Sequence, residues 1–177
     1  GDNGSGKSAL LSLRTGAAEP SSGSISVGGS LWYVPQHFGN YESYTIAGAL
    51  GIRGKLGALA AILAGDLSEN NYTVLEDDWN IAERAAAALS RWDMGGFGID
   101  TPFSVLSGGE KTRVFLAGID IHLPDVGIMD EPTNQLDRRG RGRGYGLVGG
   151  SRATMLIVSQ DRERLSILDV TLEITAY

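Results

Sequence analysis

Gly1-Asp2-Asn3-Gly4-Ser5-Gly6-Lys7-Ser8 fits the spacing G-x-x-x-x-G-K-[ST], a loop built to hold phosphate. Wrapping a backbone around a triphosphate needs several consecutive N–H groups turned inward, and glycines at 1, 4 and 6 permit the positive-φ geometry that turns them. Lys7 can reach the β- and γ-phosphates as a mobile charge, and the Ser8 hydroxyl can take one place in the octahedral shell of Mg²⁺. Far downstream, Asp130 and Glu131 follow the apolar run Val126 to Met129. That run suits a buried parallel strand, which would deliver both carboxylates to the strand end where ligands of open α/β sheets collect. Ser107 and Glu110 stand three apart as a capping box, with Gly108 and Gly109 between them. Glycines at a helix start let another backbone or a phosphate approach closely.

The elements that must carry these groups can be read in chain order. Lys7 to Thr15 is expected to be helical, stopping at Gly16. Ile25 and Val27 alternate with serines, Gly28-Gly29 supplies a tight turn, and Leu31 and Tyr33 alternate again, the pattern of a β-hairpin ending at Val34-Pro35-Gln36. Thr45 can cap a helix carrying Ile52, Leu56, Leu59 and Leu63 on one face, weakened by glycines at 48, 51, 54 and 57. The acidic, polar residues 65–79 suggest a solvated loop. Asn80 to Glu83 approximates another capping box, followed by a helix with Ile81, Ala85, Leu89 and Trp92 in a core stripe. The helix after Ser107 runs through Val114, Phe115, Leu116 and Ile119 and is broken by Leu123-Pro124. Six of residues 140–150 are glycine, so a solvated connector is expected there rather than a helix or an RNA-binding segment. Thr154 to Ser159 reads as a second buried strand, Arg162 to Leu168 as a helix, and Val170 to Ile174 as a last strand. His37 and His122 fall in no metal-ligand pattern and are expected to be structural.

Length and composition bound the possibilities. With 177 residues the chain can bury a core as one domain. The absence of cysteine rules out a disulfide framework and a Cys-based zinc site. A net charge of −6 argues against DNA or RNA binding driven by overall basic charge. No apolar run is long enough to span a bilayer and no secretory signal opens the chain, so a soluble, cytoplasmic protein is expected. A phosphate loop normally follows a strand, and here it starts the chain, which reads as a fragment lacking that first strand.

Taken in order, the phosphate loop, Val34-Pro35-Gln36, Leu106-Ser107-Gly108-Gly109-Glu110 and Asp130-Glu131-Pro132-Thr133-Asn134-Gln135-Leu136-Asp137 resemble the ATP-binding cassette ATPases over nearly the whole chain. Leu-Ser-Gly-Gly-Glu is the part specific to cassettes. Glu-Pro-Thr-Asn-x-Leu-Asp, Val-Phe-Leu-Ala-Gly-Ile and the late Ser-x-Asp-Arg look like the ABC-F subgroup, soluble proteins with two cassettes per chain that act on ribosomes in translation or antibiotic protection. The resemblance implies an α/β P-loop fold with a mostly parallel core sheet, a small antiparallel β part and a helical subdomain over residues 37–105 of a single 1–177 cassette.

It also implies a Mg²⁺-dependent ATPase. Residues 1–9, from Gly1 to Ala9, would hold ATP; Ser8, Gln36 and Asp130 would serve the metal; Glu131 would accept a proton from the attacking water, with Lys7, Gln36 and Gln160 assisting. Ser107, Gly108, Gly109, Glu110 and Asp137 would meet the nucleotide of a second cassette, which is the implied partner together with the ribosome. Three departures from the family matter. The family has a histidine where this chain has Gln160, which can donate a hydrogen bond but carries no positive charge, and it has Thr where this chain has Ala9. The third is that the aromatic residue that stacks on adenine lies upstream of the loop in the family and is absent from this sequence. The alternatives are an ATP-binding subunit of a transporter and a nucleotide-binding module impaired in hydrolysis.

Overall fold

The computed structural model describes residues 28–132, 136, 140, 142 and 153–158. The phosphate loop, the helix expected over Lys7 to Thr15, Asp137, Gln160 and the elements expected beyond Gln160 lie outside the described residues. The chain divides into two compact units. One comprises Gly1–His37 with His122–Tyr177, the other Phe38–Ile121.

Among the described residues of the first unit, three strands form a parallel sheet in the order β1-β2-β3: β1 Leu31–Val34, β2 Val126–Asp130 and β3 Thr154–Val158. The register pairs Val34 with Met129 and Asp130 with Val158. β2 reads Val-Gly-Ile-Met-Asp and lies in the middle, buried from Gly127 onward, as expected of a strand covered on both faces. Gly127 faces Met155 so closely that a Cβ there would come within 2.7 Å of the methionine sulfur.

Leu31–Val34, the second arm of the hairpin expected around Gly28-Gly29, forms a strand that pairs parallel with β2, a neighbour distant in sequence. The hairpin's first arm, Ile25 and Val27, lies outside the described residues. Gly29, at φ 92°, turns the chain into β1. The Ser30 amide and hydroxyl donate to Asp125 Oδ2 at 2.7 and 3.0 Å, and the Asp125 amide donates back to Ser30 Oγ at 3.1 Å. The glycine turn therefore fastens the starts of β1 and β2 together. Trp32 of β1 stacks on His122, ring centroids 4.4 Å apart, which gives that histidine a packing role.

The second unit is helical: α1 Ile46–Ala49, α2 Arg53–Leu63, α3 Glu69–Leu75, α4 Ile81–Arg91 and α5 Gly108–His122, whose last residue belongs to the first unit. Thr45 does cap a helix, accepting from the Gly48 amide at 3.2 Å, but that helix stops after four residues. Gly51 at φ 70° ends it and α2 begins anew, so one expected helix is two. Ile52 is buried while Leu63 is 77% exposed. A second correction concerns residues 65–79, where α3 replaces much of the expected loop. Its Leu75 is fully buried, and Glu76 at φ 52° terminates it in the left-handed region. Ile81, Ala85, Leu89 and Trp92 are buried as their spacing requires. The capping box at Asn80 does not form: Asn80 has φ −99° and ψ 13°, outside the extended geometry of a cap, and makes no side-chain cap bond. Gly140 and Gly142 are helical where a connector was expected; the rest of 138–150 is not described.

Candidate functional site

Within the first unit the parallel register decides where the sequence-expected groups emerge. Val34 pairs with Met129, so Gln36, two residues past Val34, leaves the sheet at the same edge as Asp130 and Glu131. That is the C-terminal edge of a parallel sheet, where open α/β folds collect their ligands. Asp130 closes β2 with 3% of its surface exposed, and Glu131 follows at 6%. Two adjacent buried acids are costly to leave ionised without compensating partners. Their carboxylates are hard oxygen donors of the kind Mg²⁺ prefers, so the residues present fit that ion. Glu131 also adopts φ 47°, a left-handed conformation that costs a non-glycine residue roughly 1–2 kcal/mol. Its amide donates to the Val158 carbonyl at 2.9 Å, which pins the strained turn onto β3. Strain of this sort clusters at functional sites.

In the second unit the Ser107 to Glu110 turn forms as the local pattern dictates. The Ser107 amide and hydroxyl both donate to Glu110 Oε2 at 2.7 Å, and the Lys111 amide donates to the Ser107 carbonyl at 2.9 Å to open α5. These hydrogen bonds from Ser107, side chain first, hold the Glu110 carboxyl below its ordinary value. Ser107 and Gly108 are exposed, leaving the N-terminal turn open to an anionic ligand. Behind it, Val114 to Ile119 are buried and anchor the helix.

The structure therefore brings Gln36, Asp130 and Glu131 to one sheet edge and presents Ser107, Gly108, Gly109 and Glu110 on a turn of the other unit. Gly1 to Ala9, Asp137 and Gln160 lie outside the described residues. Among the described residues no group of three or more His, Cys, Asp or Glu side chains forms a metal cluster. Sequence reasoning missed the ion pair of Lys111 with Glu42, whose partners lie 69 residues apart and carry no local signal.

A family model described as ABC transporter matches residues 1–134. The chain belongs to this family of ATP-binding cassettes. The cassette assignment accords with the α/β P-loop fold and brings with it the family's use of ATP with Mg²⁺. Among curated relatives, the chain is 30% identical over 194 residues to the tylosin resistance ATP-binding protein TlrC of Streptomyces fradiae, covering 97% of this chain and 35% of that protein. It is 37% identical over 153 residues to the energy-coupling factor transporter ATP-binding protein EcfA1 of Streptococcus pyogenes, covering 80% of this chain and 49% of the relative. The chain thus spans half or less of the length of these two relatives. Among solved structures, the archaeal ribosome recycling factor aABCE1, in complex with the ribosomal stalk protein aP1, superposes with a TM-score of 0.57 at 25% identity, over 89% of this chain and 27% of that one. Among the described residues, no helix is long and apolar enough to cross a membrane.

Proposed function

We propose that this cassette hydrolyses ATP and is one of the two cassettes of an ABC-F-like protein, whose ATP-driven pairing switches its binding to the ribosome. The observation that carries the catalytic part is the buried Asp130-Glu131 pair leaving β2 at the same sheet edge as Gln36. In this reading Asp130, Ser8 and Gln36 hold Mg²⁺, which when bound offsets charge on the phosphate oxygens. The amides of Gly1 to Ser8 and the Lys7 ammonium grip the triphosphate. Glu131 takes the proton of the attacking water, and its strained, pinned backbone fixes the direction from which it does so. Gln160 donates a neutral hydrogen bond where the family has a histidine, which slows turnover while leaving binding intact. Ser107, Gly108, Gly109, Glu110 and Asp137 face the nucleotide of the partner cassette, and each site is complete only across the pair.

The subgroup rests on the Glu131-Pro132-Thr133-Asn134-Gln135-Leu136-Asp137 run, on Val114 to Ile119, and on a relative named for tylosin resistance that aligns with nearly the whole chain. The likeness to a ribosome recycling factor supports the same partner. A second reading, the ATP-binding subunit of a transporter, is favoured by the higher identity to EcfA1. Full-length protein decides between them. With ATP and the Glu131→Gln change, co-sedimentation with ribosomes is expected, and its failure would sink the ribosomal partner. Co-purification of a membrane permease supports the transporter subunit. For the enzymatic claim, phosphate release must exceed that of Lys7→Ala; equal rates would leave only a nucleotide-binding module.

A further inference from the structure

Lys111 is the first residue after the Ser107 to Glu110 turn, and its side chain does not point into water as a helix-surface lysine normally does. Its Nζ donates to Glu42 Oε1 at 2.5 Å and lies 5.5 Å from the centre of the Phe103 ring, with 12% of the side chain exposed. Glu42 belongs to the segment that directly follows Gly39–Tyr41, and this segment is fastened to the approach to Ser107 at several points. The Phe103 amide donates to the Tyr44 carbonyl at 2.8 Å and the Ile46 amide to the Thr101 carbonyl at 3.0 Å. Tyr41 packs edge-on against Phe115 of α5, centroids 4.8 Å apart. The lysine ammonium is the charged link in this set, and it sits one residue from Glu110.

We infer that Lys111, held by Glu42 and Phe103, is a positioning residue that fixes the direction in which Ser107 and Gly108 face a partner cassette's nucleotide. The inference rests on the reading that this turn completes the partner's site. A single ion pair with one partner 44% exposed contributes little to stability, so its effect here is on geometry. Loss of the pair lets the first turn of α5 shift, and a shift of the order of 1 Å in a positioning group can cost up to about 100-fold in rate.

The test uses the full-length protein and four variants: Lys111→Met, Glu42→Gln, Lys111→Arg, and the charge swap Glu42→Lys with Lys111→Glu. For the first two, kcat is expected to fall about ten-fold or more, with KM for ATP, fluorescent-ATP binding and Tm near wild type. Lys111→Arg is expected to recover most of the rate, since it keeps a cation against both Glu42 and Phe103, and the swap a part of it, since it restores the ion pair without the cation at Phe103. Single variants with wild-type kcat would overturn the inference. So would a swap that folds normally yet stays as slow as the singles. Glu42 is 44% exposed in its side chain, so Glu42→Gln supplies the readout even if Lys111→Met folds poorly. A wild-type protein whose hydrolysis is indifferent to Ser107→Ala would refute the underlying reading of the turn; hydrolysis that needs Ser107 but ignores Lys111 would refute the positioning role alone.

Discussion

The amide and the hydroxyl of Ser107 converge on a single oxygen of Glu110, each at 2.7 Å, so one carboxylate closes the start of α5 from the side chain and the backbone together. Truncation to Glu110→Ala removes both acceptor contacts and is expected to cost about 1 kcal/mol, whereas Glu110→Gln keeps an acceptor oxygen and costs less. Urea unfolding of the two variants against wild type measures the difference, and equal midpoints for all three would deny the cap any energetic role.

Acid sensitivity follows from the same contacts. Glu110 is held below its ordinary value by Ser107, and Asp125 below its own by the Ser30 amide and hydroxyl. A depressed folded-state value means the stabilisation is fully present above the unfolded-state carboxylate range and is lost as pH falls through the folded-state values. Thermal unfolding is therefore expected to be flat in these contributions near neutrality and to decline below about pH 4. Glu110→Gln should soften the acid decline, which a Tm-versus-pH series of the two proteins would reveal.

Gly29 occupies φ 92°, and a Cβ built there would collide with Asp125, the acceptor that fastens Ser30. Gly29→Ala is expected to destabilise by roughly 1–3 kcal/mol from backbone strain alone, with loss of the Ser30–Asp125 bonds in addition. Gly127→Ala also meets a close neighbour, but that neighbour is the mobile end of Met155, which can move aside. The prediction is an ordering: chemical denaturation should find Gly29→Ala the more damaging of the two.

Trp92 is 4% exposed and donates its indole N–H to Asp120 Oδ2 at 3.1 Å, joining α4 to α5, while Arg91 Nε lies 3.7 Å from the same oxygen. Trp92→Phe keeps an aromatic ring and loses the donor, at an expected cost of about 1 kcal/mol or more. A double-mutant cycle with Asp120→Ala should return a coupling energy of about 0.5 kcal/mol or greater. Strict additivity would show the bond to be incidental.

Glu131 combines a left-handed backbone with its proposed role as proton acceptor. Glu131→Gly removes the conformational penalty and is expected to raise stability by up to roughly 1 kcal/mol while abolishing phosphate release. Calorimetric Tm and phosphate release on the same samples test the pairing of gain with loss. A lower Tm would show that packing of the glutamate side chain outweighs its strain.

How much of this was legible from residue types depends on how local each cause is. The Ser107–Glu110 cap needs only four consecutive residues, and it formed as read. The strand ending in Asp130 was legible because its apolar run is buried on both faces. Asn80 shows the limit of pattern: its neighbours have the spacing of a capping box, but the backbone enters α4 by a route from which the side chain cannot reach. α3 was missed because its composition is polar and one residue, Leu75, supplies its full burial. Gly51 turned one apolar face into two helices, and the partner of β1 was invisible because strand neighbours distant in sequence leave no trace in spacing. The same holds for Lys111 with Glu42. Residues 1–9, Asp137 and Gln160 retain their readings from sequence and family.

The central strand of the parallel sheet is made late. β1 is synthesised before the whole Phe38–Ile121 unit, yet its neighbour β2 follows that unit. Domains tend to fold as units while the chain emerges. The helical insert can therefore settle before β2 exists to pair with β1. A mutation that delays the insert would keep β1 and β2 apart for longer and show itself as aggregation during expression, even where the finished protein is no less stable.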